Sequence, residues 1–278
     1  MKKLLDFFLF SSLFISSCSV IATFFTAHAF SLVLPLTAYI FIFTGTLSSY
    51  SFHWFFTKTT PKESSDGTRW SHKHKHIHFL FLVLAGTASV FLLFLLSKHW
   101  QWLVITALIT FLYSAPKLPV ALFQYLKKFA LAKTAFLALV WTHVTCILPF
   151  ILAEANIDTT AIVYVICRFF FIYAICILFD ERDAEKDKIE GIKSMVTHFN
   201  DKGIKILFSA SLLFSFIALI ILMMIGFGNI YLILLFIPLP LLILYYKNWF
   251  KRDSDYHYYL VLDGFIMIPG ILLLMLRF

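Results

Sequence analysis

Apolar residues fill this chain in long unbroken blocks. Nine stand out, over about 7–27, 31–57, 76–97, 100–115, 130–153, 159–179, 204–225, 229–246 and 258–276. A bilayer core about 30 Å thick needs roughly 20 apolar residues per helical span. The blocks therefore predict nine transmembrane helices, the fourth of them the shortest. A membrane β-barrel would alternate apolar and polar residues over about ten positions, and the run from Ile206 to Ile225 does not alternate. The expectation is an all-α integral membrane protein, one multi-pass domain over 1–278 with no separate soluble part. Pro35 opens the second block and Pro149 lies near the end of the fifth. Pro238, Pro240 and Pro269 lie inside the last two blocks and predict kinks there. A spanning helix tolerates proline where neighbours satisfy the freed carbonyls.

Composition agrees. The chain is 61% hydrophobic and 14% charged, which excludes a water-soluble globule of this size. The net charge is +8, and its placement carries the information. All but Lys98, Arg168 and Arg277 of the 23 basic residues lie at the amino-terminal end or after blocks two, four, six and eight. Basic loops stay in the cytoplasm, so the amino terminus and these loops are expected inside and the carboxyl terminus outside. Anionic lipid headgroups or a phosphorylated substrate account for the positive balance, and no nucleic acid is required. Cys18, Cys146, Cys167 and Cys176 lie in apolar blocks without a CxxC pair and read as inert thiols. Lys2-Lys3 with Ala27-His28-Ala29 resembles a cleaved leader, and Ile15-Ser16-Ser17-Cys18 a lipoprotein box. The apolar run continues well past Cys18, however, and 20 residues is long for a leader core, so the segment reads as a span.

The sixth block ends abruptly in Phe179-Asp180-Glu181-Arg182-Asp183-Ala184-Glu185-Lys186-Asp187. On a helix Asp183 and Asp187 share a face, and Asp180 lies close to it. Acids gathered at a membrane boundary repel one another unless a cation sits between them. Mg²⁺ suits the place, because it takes one or two carboxylates plus phosphate oxygens. A solvated loop in which Arg182, Lys186 and Lys188 balance the acids is the plainer alternative.

The order Asp180, Arg182, Asp183, Asp187, Gly191, Lys193 resembles the second aspartate-rich motif of the UbiA superfamily of intramembrane prenyltransferases. Leu112-Tyr113-Ser114-Ala115-Pro116-Lys117 is similar to that family's Tyr-Ser-Pro segment. The resemblance implies a nine-helix bundle with a cavity that binds a polyprenyl diphosphate through Mg²⁺. The diphosphate would depart, and an aromatic or other lipid-soluble acceptor would capture the allylic cation. It implies Asp183 and Asp187 as the catalytic, Mg²⁺-binding pair, with Asp180, Arg182, Lys193, Lys117 and Tyr113 at the substrate. The aromatic side chains (34 Phe, 12 Tyr and 6 Trp) suit cation-stabilising walls. The family's first motif, NxxxDxxxD, falls on Ser49, His53 and Thr57, which lack its metal-binding side chains, and a histidine is a poor Mg²⁺ ligand. The chain would then work with one Mg²⁺, use another group in place of the second, or have lost transferase chemistry and bind a lipid or partner instead. An ion-coupled carrier would show paired, broken segments in corresponding halves, and none is visible.

Three further features draw notice. His72, His74, His76 and His78 alternate with Lys73, Lys75 and Ile77. Their i,i+4 pairs have zinc-compatible spacing, or the segment faces lipid headgroups. Arg168 and Asp263 lie inside apolar blocks and are expected to pair with each other. His143, in the fifth block, reads as a hydrogen-bonded interior histidine.

Overall fold

A computed structural model describes residues 2–57, 65–115, 133–189, 199–249 and 255–276, and of 183–189 and Trp249 it describes the backbone. Every apolar block is helical. The helices are α1 (Lys2–Phe10), α2 (Leu13–Ala29), α3 (Leu36–Phe56), α4 (Asp66–Lys73), α5 (Lys75–Leu95) and α6 (Trp100–Ser114). They continue with α7 (Lys133–Leu152), α8 (Thr159–Ile189), α9 (Asp201–Met224), α10 (Asn229–Phe236), α11 (Pro238–Trp249) and α12 (His257–Met275). The first block is bent: α1 meets α2 at 63°, where Ser12 adopts a left-handed φ of 73°. Helix α8 continues ten residues past the apolar block, so the acidic stretch is helical and not a loop.

Among the described residues, α5, α7, α8, α9, the α10–α11 pair and α12 are long and apolar enough to cross a membrane, and the bent α1–α2 pair is a seventh. Two blocks separate this number from the expected nine, each for its own reason. Helix α3 has the length, but Thr44, Thr46, Ser48, Ser49 and Ser51 dilute its hydropathy. Helix α6 has 15 residues, a rise of about 22 Å, which falls short of the roughly 30 Å core.

Helix α2 is the inner post of the bundle and packs against α3, α7 and α12. Its contact face carries Ser12, Ser16, Ser19, Thr23 and Thr26, all buried. Small hydroxyl residues let helix backbones approach where the hydrophobic effect between helices is absent. Ser16 and Ser19 return their protons to backbone carbonyls of the preceding turn, each at 2.7 Å. Opposite them stands Gly270 of α12, where a Cβ would fall 2.4 Å from the Ile21 carbonyl oxygen. Only a glycine permits that contact.

The prolines act as expected on the carbonyls before them. Pro149 has no N–H for the Thr145 carbonyl four residues back, and that carbonyl accepts from the Thr26 hydroxyl at 2.8 Å. Tyr164 lies 2.7 Å from the same hydroxyl oxygen and supplies it with a proton. Pro238 starts α11 after a break at Ile237. Pro269 lies inside α12, and the Ile266 carbonyl in the turn before it accepts from Arg168 at 2.8 Å.

The basic end of the bundle is capped by α1, α4 and the start of α12. Phe10 packs on Trp70, Tyr256 and Tyr259 at 6.1, 5.9 and 5.4 Å between ring centroids. The Gly67 N–H donates to Asp255, and Tyr256 donates to Asp6. That bond pushes the Tyr256 phenol up to about 12. At the opposite end Glu154 pairs with Lys98, and His99 lies 3.7 Å from the same carboxylate. The Lys98 hydrogen bond holds Glu154 below the ordinary carboxylate range.

Gly270→Ala is expected to lower stability by about 1–3 kcal/mol, the usual range for overpacking. Gly45→Ala, where a Cβ meets nothing within 4 Å, is expected to be neutral or to stabilise by up to ~1 kcal/mol. Thermal unfolding of the purified variants in lipid nanodiscs compares the two.

Candidate active site

The site grows from the polar end of α8. Residues turn about 100° apiece on a helix, so Asp180, Asp183 and Asp187 fall within one sector of about 60°. Asp180 is buried and accepts from the Thr134 hydroxyl at the start of α7. Arg182 projects from the far side of α8, and its guanidinium sits over three rings. The distances are 5.3 Å to Phe179, 4.7 Å to Tyr258 and 5.5 Å to Tyr259. A guanidinium is weakly hydrated and stacks well on aromatic faces, which keeps this charge at the bundle and out of bulk water.

Tyr258 and Tyr259 owe their placement to a π-helical turn, His257–Leu262. The Asp263 N–H donates to the Tyr258 carbonyl five residues back, so Tyr258 and Asp263 come into register on one face. Such turns gather at functional sites. The Arg182 charge acts on the Asp263 carboxyl across this face. A second π turn, His143–Ile147, lies in α7.

Tyr50 and Asp263 are half-buried, whereas Tyr164 is fully buried. The Trp141 indole N–H donates to the Tyr50 oxygen at 3.2 Å. Asp263 also acts electrostatically on Tyr50, Cys18 and Cys176, and Asp180 on Cys176. The two carboxyls thus approach a common region from α8 and α12.

On α3, His53 stacks on Tyr113 with ring centroids 6.0 Å apart and an interplanar angle of 17°. Ser114 reaches His53 Nδ1 at 3.5 Å. The structure therefore joins the position of the incomplete first motif to the Tyr-Ser segment. Thr57 donates to the His53 carbonyl at 2.6 Å. Lys117 and Lys193 lie outside the described residues, as do the side chains of Asp183 and Asp187.

Two expectations need correction. Arg168 does not pair with Asp263. It is buried, donates to the Ile266 carbonyl and lies over the Phe171 ring at 5.6 Å. The charge that reaches the head of α12 is Arg182, over the Tyr258 and Tyr259 rings. The alternating histidines do not share one helical face either. Helix α4 ends at Lys73 and α5 starts at Lys75, with His74 at the junction. His74 stacks on Trp70 at 4.3 Å, and His78 is fully buried beside Trp54 and Trp70. No group of three metal-ligating side chains occurs among the described residues. His143 is hydrogen-bonded: Thr106 uses its proton on the Trp102 carbonyl, so His143 Nε2–H donates to the Thr106 oxygen at 2.8 Å. Sequence reasoning missed Tyr50, Thr134, Trp141, Tyr258 and Tyr259. Only the last two had a usable signal, a tyrosine pair one turn before an intramembrane aspartate.

A multi-pass helical membrane bundle, with an acidic stretch on the polar end of one long helix, defines the class of protein. The UbiA prenyltransferase family matches residues 69–259, more than half of the chain, and the chain belongs to that family. No curated protein matches the chain, and neither does any solved structure.

Arg182→Met removes a guanidinium that lies over three rings and is expected to destabilise by about 1–2 kcal/mol, the scale of partly desolvated cation–π contacts. Arg168→Met combined with Asp263→Asn should be additive, as expected of residues that do not pair. Unfolding midpoints of the single and double variants test both.

Proposed function

We propose that this protein binds a polyprenyl diphosphate at the basic end of the bundle and transfers its prenyl group to a lipid-soluble acceptor. The observation that carries this reading is the arrangement at the end of α8. Asp180 is held there by Thr134, Asp183 and Asp187 follow in the same sector, and Arg182 is turned onto the Tyr258 ring of α12. In this reading the chain crosses the bilayer nine times, with α3 and α6 crossing as part of the bundle. The basic end faces the cytoplasm, and membrane lipid surrounds the rest.

Two carboxylates at i,i+4 on one helix fit a single Mg²⁺ whose remaining ligands are diphosphate oxygens and water. Asp183 and Asp187 would hold it, with Asp180 ordered alongside. Helix α3 does not fit a second ion, since it offers Ser49, His53 and Thr57 in place of carboxylates, and the Thr57 proton already serves the backbone of its own helix. When bound, Mg²⁺ offsets negative charge growing on the departing diphosphate. Lys117 and Lys193 would donate hydrogen bonds to the diphosphate oxygens and offset the same charge, whereas Arg182, on the other side of α8 from the aspartates, braces the helix against α12. Tyr113, stacked on His53, lines the diphosphate end. The neighbouring Tyr50 and Trp141 rings would offset the positive charge of the allylic carbon. The C–O bond to the diphosphate breaks with its electron pair on oxygen, and the acceptor forms the new bond to carbon.

A second reading has specific support: the absence of carboxylates from α3 suits a protein that keeps the headgroup site and binds a lipid without turning it over. One experiment addresses both. Geranylgeranyl diphosphate is titrated into the protein in nanodiscs with and without Mg²⁺. Binding should weaken at least tenfold when Mg²⁺ is removed, and equally in the Asp183→Asn, Asp187→Asn double variant. Mg²⁺-independent binding, or binding unchanged in that variant, overturns the site. Binding without diphosphate release in the presence of an acceptor panel favours the second reading.

A further inference from the structure

Helix α1 has two apolar sectors with different surroundings. Residues turn about 100° apiece, which puts Phe7 and Phe10 on one sector and Leu4, Leu5 and Phe8 on another. Phe7 and Phe10 pack on Trp70 of α4 at 6.2 and 6.1 Å between ring centroids. The other sector is bare: Leu4 is 74% exposed, Leu5 40% and Phe8 39%. Lys2 and Lys3, at the start of the helix, are exposed as well. Among the described residues neither lysine meets a carboxylate. The acids of this cap are engaged within the protein. Asp6 accepts from Tyr256, Asp66 pairs with Arg69, and Asp255 accepts from the Gly67 N–H. The outward charge of the cap is therefore basic, and exposed Lys73 of α4 adds to it.

The bend decides how α1 sits. Helix α2 alone has 17 residues, a rise of about 25 Å, at the short end of the range for a span. With α2 across the bilayer, the 63° bend turns α1 toward the membrane plane, and its nine residues advance only about 6 Å along the α2 axis. Phe7 also meets Phe81 of α5 at 6.3 Å. Phe81 lies six residues into that span, about 9 Å from its polar end, so α1 is level with the outermost turns of a span. At that level the bare sector faces upper acyl chains and the lysines face headgroups. Apolar side chains on one sector with unpaired lysines suit interfacial binding to anionic lipid.

We propose that α1 is an in-plane helix that docks the cap onto an anionic lipid surface, with Leu4, Leu5 and Phe8 among the acyl chains and Lys2 and Lys3 at the lipid phosphates. A zwitterionic surface offers the same acyl chains without net negative charge, so the lysines set the lipid preference. Phe10 meets Tyr259 edge-on at 5.4 Å, and the Arg182 guanidinium lies 5.5 Å from the same ring. Lipid held at α1 thus steadies the aromatic wall that receives the end of α8. This role is independent of the diphosphate site.

The test uses the full chain in nanodiscs of phosphatidylcholine with increasing phosphatidylglycerol. The four native cysteines are buried, so Leu4→Cys and Phe8→Cys each take one nitroxide label, with unsubstituted protein as the labelling control. Collision with oxygen and with a water-soluble nickel chelate reads the depth of each label. With phosphatidylglycerol both labels should lie about 5–10 Å below the phosphate level and within roughly 3 Å of each other, whereas a helix continuing through the bilayer would separate them by about 6 Å. Lys2→Gln with Lys3→Gln should need at least ~5-fold more phosphatidylglycerol to reach that depth, the scale of one lysine at an anionic surface. Lys2→Arg with Lys3→Arg keeps the charge and should behave as the wild type. Labels that stay in water in every lipid, labels split by the spanning distance, the same depth in phosphatidylcholine alone, or an unchanged lipid response in the glutamine variant overturns the proposal. A shift produced by free inorganic phosphate in place of phosphatidylglycerol also overturns it, because the anion held is then soluble.

Discussion

A charge inside a low-dielectric helical bundle must be matched by another charge, by hydrogen-bonding groups or by polarisable rings, or the bundle does not hold it. The basic end of this protein is organised around that constraint. Arg182 is matched by three aromatic rings. Asp180 is matched by Thr134, and Arg168 by a backbone carbonyl and the Phe171 ring.

Backbone irregularity links this electrostatic pattern to the packing. Pro149 leaves the Thr145 carbonyl without its helical donor, and Thr26 of α2 meets it; near Pro269, Arg168 of α8 donates to the Ile266 carbonyl. These contacts cross-brace α2, α7, α8 and α12. The π turn at the head of α12 adds a residue to the local turn, with the Asp263 N–H bonded to the Tyr258 carbonyl. The close approach of α2 and α12 at Gly270 then fixes the wall that carries Asp263 against the inner post.

Much of this could be read along the chain. All nine apolar blocks are helical, because unbroken apolar runs in a bilayer leave the backbone no other way to satisfy itself. The acidic stretch was readable as a helical face, since i,i+3 and i,i+4 spacing is a property of the sequence, and α8 does continue through it. The family was readable from the same stretch and is borne out over residues 69–259. The pairing of Arg168 was not readable: two charges in apolar blocks suggest an ion pair, but Arg168 donates to the Ile266 carbonyl and lies over the Phe171 ring. Side-chain reach and helix rotation decide such contacts.

The sequence by itself determined the helical, membrane-embedded character of the chain, the end at which its charge collects, and the helical face that carries its acids. Those follow from transfer free energies and local periodicity, which act on each segment separately. Tertiary structure alone decided which segments bend, that α4 and α5 break the histidine register, that His53 meets Tyr113, and that Trp141 donates to Tyr50. Each of those depends on how far residues distant in sequence are rotated and shifted when helices pack, and no single segment encodes that relative placement.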